Sequence, residues 1–144
     1  MAKSLSAFLS QNAKKVENKK LVVSDRFVDP ETGEPMEWEI RAVSTTEIKK
    51  IRKNCTRSVP MPGGKKGQFI QQTDTGAYEM KLAVKSTVFP DLNNSELQDS
   101  YGAMDAEALL GIMLTAGEFD EYVAQISELC GYDLENDLID DAKN

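Results

Sequence analysis

Between Met36 and Ile51 the spacing of apolar residues changes from two to a helical repeat, and that change restricts the fold more than any other feature of the chain. Met36, Trp38 and Ile40 alternate with Glu37, Glu39 and Arg41, the pattern of a strand with one dry face. A few residues later, Ser44-Thr45-Thr46-Glu47 has the form of a capping box. In this motif a hydroxyl and a carboxylate three positions apart each satisfy an orphan amide at a helix start. Ile48, Ile51 and Cys55 then fall on one side of the helix, leaving Lys49, Lys50, Arg52 and Lys53 in water. A one-faced strand followed directly by a one-faced helix needs a core shared by both kinds of element, so the expected fold class is α+β.

The remaining punctuation extends this reading. Leu21 to Val28 is β-prone, and Asp29-Pro30-Glu31-Thr32-Gly33-Glu34-Pro35 supplies turn chemistry, which predicts a β-hairpin over 20–42. A helix is expected from Asp74 to about Ser86, burying Ala77, Met80 and Val84 with Tyr78 and Leu82 at its flank. Asn93-Asn94-Ser95 caps a short helix, and Asp105 caps another that carries Ala106, Leu109, Leu110 and Met113 on one face. A second capping box, Thr115 to Glu118, opens a stripe of Phe119, Tyr122, Val123, Ile126, Leu129 and Cys130, and Gly131 is placed to end it. Residues 56–68, with two prolines and three glycines, are expected to be a mobile loop, and Phe69-Ile70 a brief strand. The expectation is one domain over 1–133, an N-terminal β-hairpin packed on a mainly α-helical part, with Trp38 and Ile40 facing the helices. An acidic, frayed tail would cover 134–144.

The chemistry a chain like this could carry is narrow. It has no histidine, which removes Ser-His-Asp triads, Cys-His dyads and imidazole metal sites. Cys55 and Cys130 belong to no CxxC pair and read as reduced core thiols. Pro62-Gly63-Gly64-Lys65-Lys66-Gly67 lacks the spacing and the Ser/Thr of a phosphate loop, and the acidic clusters lack calcium-loop spacing. No metal, cofactor or turnover is expected. The longest apolar run, Ala108 to Leu114, has seven residues, against the roughly 20 of a membrane helix. Net charge is −7, which argues against a general attraction to nucleic-acid phosphates. The charge is uneven, with 16 basic and 10 acidic residues over 1–85 but one basic and 14 acidic over 86–144. That asymmetry predicts either attraction between the halves or a different partner for each. Outside the expected core, Leu5, Phe8 and Leu9 recur at helical spacing behind the cap Ser4, beyond a polar stretch at 12–20. They could dock on this protein or on another.

Several short motifs now stand in order: Ser4-Leu5-x-x-Phe8-Leu9-x-x-Asn12, Glu17-Asn18, Val23-Ser24-x-Arg26-Phe27, and Trp38-Glu39-Ile40-Arg41. Val88-Phe89-Pro90-Asp91-Leu92, Glu96-Leu97-Gln98-x-Ser100-Tyr101-Gly102 and the run from Ala106 to Glu118 follow them. In this arrangement the chain resembles the XkdN-type tail assembly chaperones of phages and prophages, from about residue 4 to 133. The resemblance implies a non-catalytic protein of the host bacterial cytoplasm that binds the tail tape measure protein and keeps it soluble until the tail tube polymerises. The implied partners are the tape measure protein and the tail tube protein; a second copy of the chain is a further expected partner, while neither nucleic acid nor membrane is expected. Leu5, Phe8 and Leu9 are the expected partner-binding residues, engaged in self-association until a client competes for them. The 118–130 stripe is expected to be core. The alternative is a structural or adaptor component retained in the phage tail.

Overall fold

The computed structural model describes residues 4–132. Its organising strand is β2 (Trp38–Ile40), which lies between β1 (Lys19–Leu21) and β5 (Thr87–Phe89) in a three-stranded antiparallel sheet. Lys19 pairs with Ile40 and Leu21 with Trp38, while on the other side the register with β5 shifts between Glu39 and Ile40. Alternation holds at Trp38 and Ile40, which are buried against the helices with Glu39 turned away, whereas Met36, expected on the same dry face, lies outside the strand and is exposed. The β1–β2 connection folds back on itself, with Val28 bridging Pro35 and Met36 N–H donating to Phe27 O at 2.7 Å. Its tip turns at Gly33, whose φ of 75° a side chain would strain.

The helices follow the caps read from the sequence. They are α1 (Thr45–Asn54), α2 (Thr75–Ser86), α3 (Ser95–Tyr101), α4 (Ala106–Met113) and α5 (Ala116–Leu129). Both expected capping boxes close, at Ser44/Glu47 and at Thr115/Glu118. Helix α5 ends in paired bonds from Gly131 N–H to Glu128 O and from Tyr132 N–H to Ser127 O, each 3.0 Å, with Gly131 at φ 97°. This is the left-handed stop expected of that glycine. Trp38 meets Tyr122 of α5 edge-on with ring centroids 5.3 Å apart, and Phe27 packs on the tryptophan at 6.0 Å. Around them Leu82, Leu109, Leu110, Met113 and Ile126 complete one core. No described helix is long and apolar enough to cross a membrane.

Three expectations need correction. First, α2 buries Leu82, Ala83 and Ser86, while Ala77, Tyr78, Met80 and Val84 are only half-buried. The helix packs against α1, α4 and α5 together, so its dry side is set by several neighbours and is centred on the expected flank. Second, Ser86 leads straight into β5, a strand the periodicity does not show. Arg41 N–H donates to Ser86 O at 2.9 Å, and the Ser86 hydroxyl donates back to Arg41 O at 2.6 Å, fastening the end of α2 to the sheet.

Third, residues 56–60 are not loop. β3 (Thr56–Pro60) pairs with β4 (Phe69–Thr73) as a separate two-stranded ribbon, from Thr56 opposite Thr73 to Pro60 opposite Phe69. Pro60 sits at the last pair, where the ladder ends and its missing N–H matters least. The next closure runs from Met61 N–H to Gln68 O at 3.0 Å. The acidic tail at 134–144 lies outside the described residues.

Replacing Trp38 with alanine is expected to cost about 3–5 kcal/mol in a denaturant titration, since the ring fills the junction of sheet and helices. Phe69→Ser on the exposed ribbon should stay within about 0.5 kcal/mol of the parent.

Candidate functional site

The polar groups most displaced from ordinary behaviour all have structural uses. Arg41 grips Glu47 with both terminal guanidinium nitrogens, at 2.9 and 3.2 Å, and the Ser44 amide donates to the same carboxylate at 2.9 Å. These bonds, Arg41 foremost, hold Glu47 down at about 2. Glu118 is likewise held at about 2, chiefly by Arg26 and then by the Ser24 hydroxyl and the Thr115 amide. Burial pushes the Tyr122 phenol up, and its hydroxyl bonds Thr87 Oγ1. Perturbed groups often mark active sites, but here each belongs to a cap or to the core. Among the described residues no group of three or more Cys, Asp or Glu is placed to hold a metal, and no buried side-chain polar atom lacks a hydrogen-bond partner.

What remains is apolar surface. Ser4 caps a 3-10 turn at Leu5–Phe8, accepting from the Ser6 amide, and Asn12 Nδ2 donates back to Ser6 O at 2.7 Å. In a 3-10 turn residues three apart eclipse each other, so Leu5 and Phe8 share a face. They are 79% and 80% exposed. Leu9 is exposed too, but it takes an extended conformation at the end of the turn and does not continue the face. The expected stripe of three is therefore a pair with a neighbour. None of the three joins the core cluster or packs on its margin.

Two further surfaces were legible in part or not at all: the brief strand expected at Phe69-Ile70 is borne out by β4, but neither its partner β3 nor the groove was expected. One is the β3–β4 ribbon, where Phe69 is 61% exposed and Met61 and Ile70 are exposed beside it. Its signal was the set of β-branched residues Thr56, Val59, Ile70 and Thr73, masked by prolines and glycines. The other is a groove of about 260 Å³ between α1, α2 and α5, walled by Tyr78, Leu82, Val123 and Tyr132. Arg52 stands at its rim with its guanidinium 5.2 Å from the Tyr78 ring centre. By contrast, most of the 118–130 stripe is consumed internally: Tyr122 and Ile126 are buried, and Phe119, Val123, Leu129 and Cys130 lie against them.

This arrangement, a small α+β body with apolar groups left at its edges and no buried reaction centre among the described residues, has known counterparts. The family model for the phage XkdN-like tail assembly chaperone protein matches residues 5–143. The chain belongs to that family. The phage-like element PBSX protein XkdN of Bacillus subtilis (strain 168) is 27% identical over 143 residues, 97% of this chain and 93% of XkdN. The protein YqbN of the same organism is 28% identical over 142 residues, 97% of this chain and 93% of YqbN. The crystal structure of YqbN superposes with a TM-score of 0.74, covering 92% of this chain and all of the YqbN chain at 23% identity. The body thus shares the fold of YqbN, and the family resemblance read from the ordered motifs is confirmed.

For this XkdN-like chaperone the two capping carboxylates set an acid limit. Each has a folded value near 2 against an ordinary 4.5, so its contribution is complete above pH 4.5 and is lost as pH falls toward 2. Glu47→Gln/Glu118→Gln should therefore show a flatter loss of melting temperature across that window than the parent, measured by circular dichroism.

Proposed function

We propose that this tail assembly chaperone binds the phage tail tape measure protein in the host cytoplasm and keeps it soluble until the tail tube assembles, without catalysis. The observation that carries the reading is the N-terminal turn. Leu5 and Phe8 stand almost fully in water, outside the core, on a segment that reaches the first strand through ten residues without regular structure. A client helix with an apolar face is the kind of partner such an anchor fits. Holding it through one short anchor per copy, with many copies along its length, gives strong overall retention from weak contacts. Tail tube subunits could then displace the copies without an energy source.

Leu5, Phe8 and Leu9 are the client-binding residues in this reading. Burying a leucine or phenylalanine side chain is worth about 2 kcal/mol, so Phe8→Asp should weaken tape measure binding roughly thirtyfold or more. Its melting temperature should hardly move, because Phe8 contributes nothing to the core. Co-expression with the tape measure protein checks this by the amount of client left soluble, alongside a melting curve of the variant alone. A large fall in melting temperature with client solubility intact would place Phe8 in the fold and the client elsewhere. Stoichiometric recovery of the chain in purified tails would favour a retained adaptor.

A further inference from the structure

We infer that copies of this chain associate head to tail, the β3–β4 ribbon of one seating on the α3–α4 corner of the next. Residues 48–73 contain seven lysines and arginines, from Lys49 to Lys66, and no carboxylate. Residues 86–132 contain nine carboxylates and no cation. The three ion pairs among the described residues join Arg26 to Glu118, Arg41 to Glu47 and Lys81 to Glu107. None draws on the cations of 48–73, and only two of the nine carboxylates are used. Among the described residues, two fields of opposite sign on different elements are therefore left largely without ion pairs.

Each field has an apolar centre. On the ribbon, exposed Ile70 shares a face with its partner Val59 and with Arg57, exposed Phe69 points from the opposite face, and exposed Met61 leads into the closing loop that carries Lys65 and Lys66. Both ribbon strands are wet almost throughout and pair only with each other, and an isolated two-stranded ribbon is marginal in water. At the α3–α4 corner, Met104 is 93% exposed and Tyr101 is exposed beside it, with Asp99 and Asp105 on either side. Apolar groups ringed by charge mark interaction surfaces, and these two rings are complementary in sign. A nucleic acid fits the ribbon less well, since the same small body turns its carboxylates and a net charge of −7 toward the phosphates.

Because ribbon and corner are different surfaces, every copy offers one of each. The contact is heterologous and builds chains or rings rather than a closed two-fold dimer. This moves self-association away from the N-terminal turn, where the sequence alone put it, and leaves Leu5 and Phe8 free on every copy. The contact does not depend on the identity of the client.

Sedimentation velocity on the full chain, across protein and salt concentration, tests it. The parent should grow beyond a dimer as concentration rises and dissociate as salt is added. Lys65→Glu/Lys66→Glu and, separately, Met104→Asp should each weaken association roughly tenfold or more with unchanged circular dichroism, and Phe8→Asp should associate like the parent. An equimolar mixture of the ribbon and corner variants should give a one-to-one dimer that grows no further, because one intact corner and one intact ribbon remain. A parent that stays monomeric at every concentration would overturn the inference. So would surface variants that assemble like the parent, a mixture that stays monomeric, or loss of association in Phe8→Asp.

Discussion

The edge-on contact between Trp38 and Tyr122 is the joint on which the rest of the body depends. Trp38 lies on the middle strand, so its position is set from both sides by β1 and β5. Tyr122 lies on α5, and its hydroxyl reaches Thr87 at the start of β5. One aromatic pair thus ties the middle strand, an edge strand and the last helix into a closed loop of contacts. A sheet of three-residue strands could not persist in water by itself. It persists here because its dry face is two large side chains, Trp38 and Ile40, set into a wall of helices.

Electrostatics reinforces this joint at the helix starts. Glu47 and Glu118 each close a capping box and each accept an arginine from the region of the sheet, Arg41 and Arg26 respectively. One carboxylate therefore fixes where a helix begins and where it lies relative to the sheet. Arg26 with Glu118 and Lys81 with Glu107 cross between the basic and acidic halves of the chain. The charge asymmetry is used partly inside the molecule, as the composition suggests.

The sequence speaks clearly where one physical rule acts alone. The strand face at Trp38 and Ile40, both capping boxes, the α4 stripe and the stop at Gly131 all follow from local spacing or local hydrogen bonding. It fails where several neighbours decide together. The dry side of α2 is chosen by three other helices, and β5 exists because β2 has a free edge beside it, which no local pattern can show. Of the ribbon, the strand at Phe69-Ile70 is legible but its partner β3 is hidden for another reason: its residues are largely wet, so no alternation marks them, and prolines and glycines suggest a loop. For the candidate site, the exposure of Leu5 and Phe8 is legible because nothing in the core pattern claims them. That Leu9 leaves their face is not, since it turns on a 3-10 rather than an α-helical repeat.

The ribbon's attachment has a consequence for how such chains diverge. It joins the body at its root, through Asp74 N–H to Cys55 O at 2.8 Å and the Thr56 hydroxyl to Arg52 O at 2.7 Å. Beyond that root, replacing its residues disturbs no core packing. The N-terminal turn is in the same position. Mutations accumulating in either would be filtered by whatever the surface touches rather than by folding. A lineage could therefore rewrite its partner-facing segments quickly while the aromatic joint keeps the body unchanged, so that relatives with one fold come to recognise different partners.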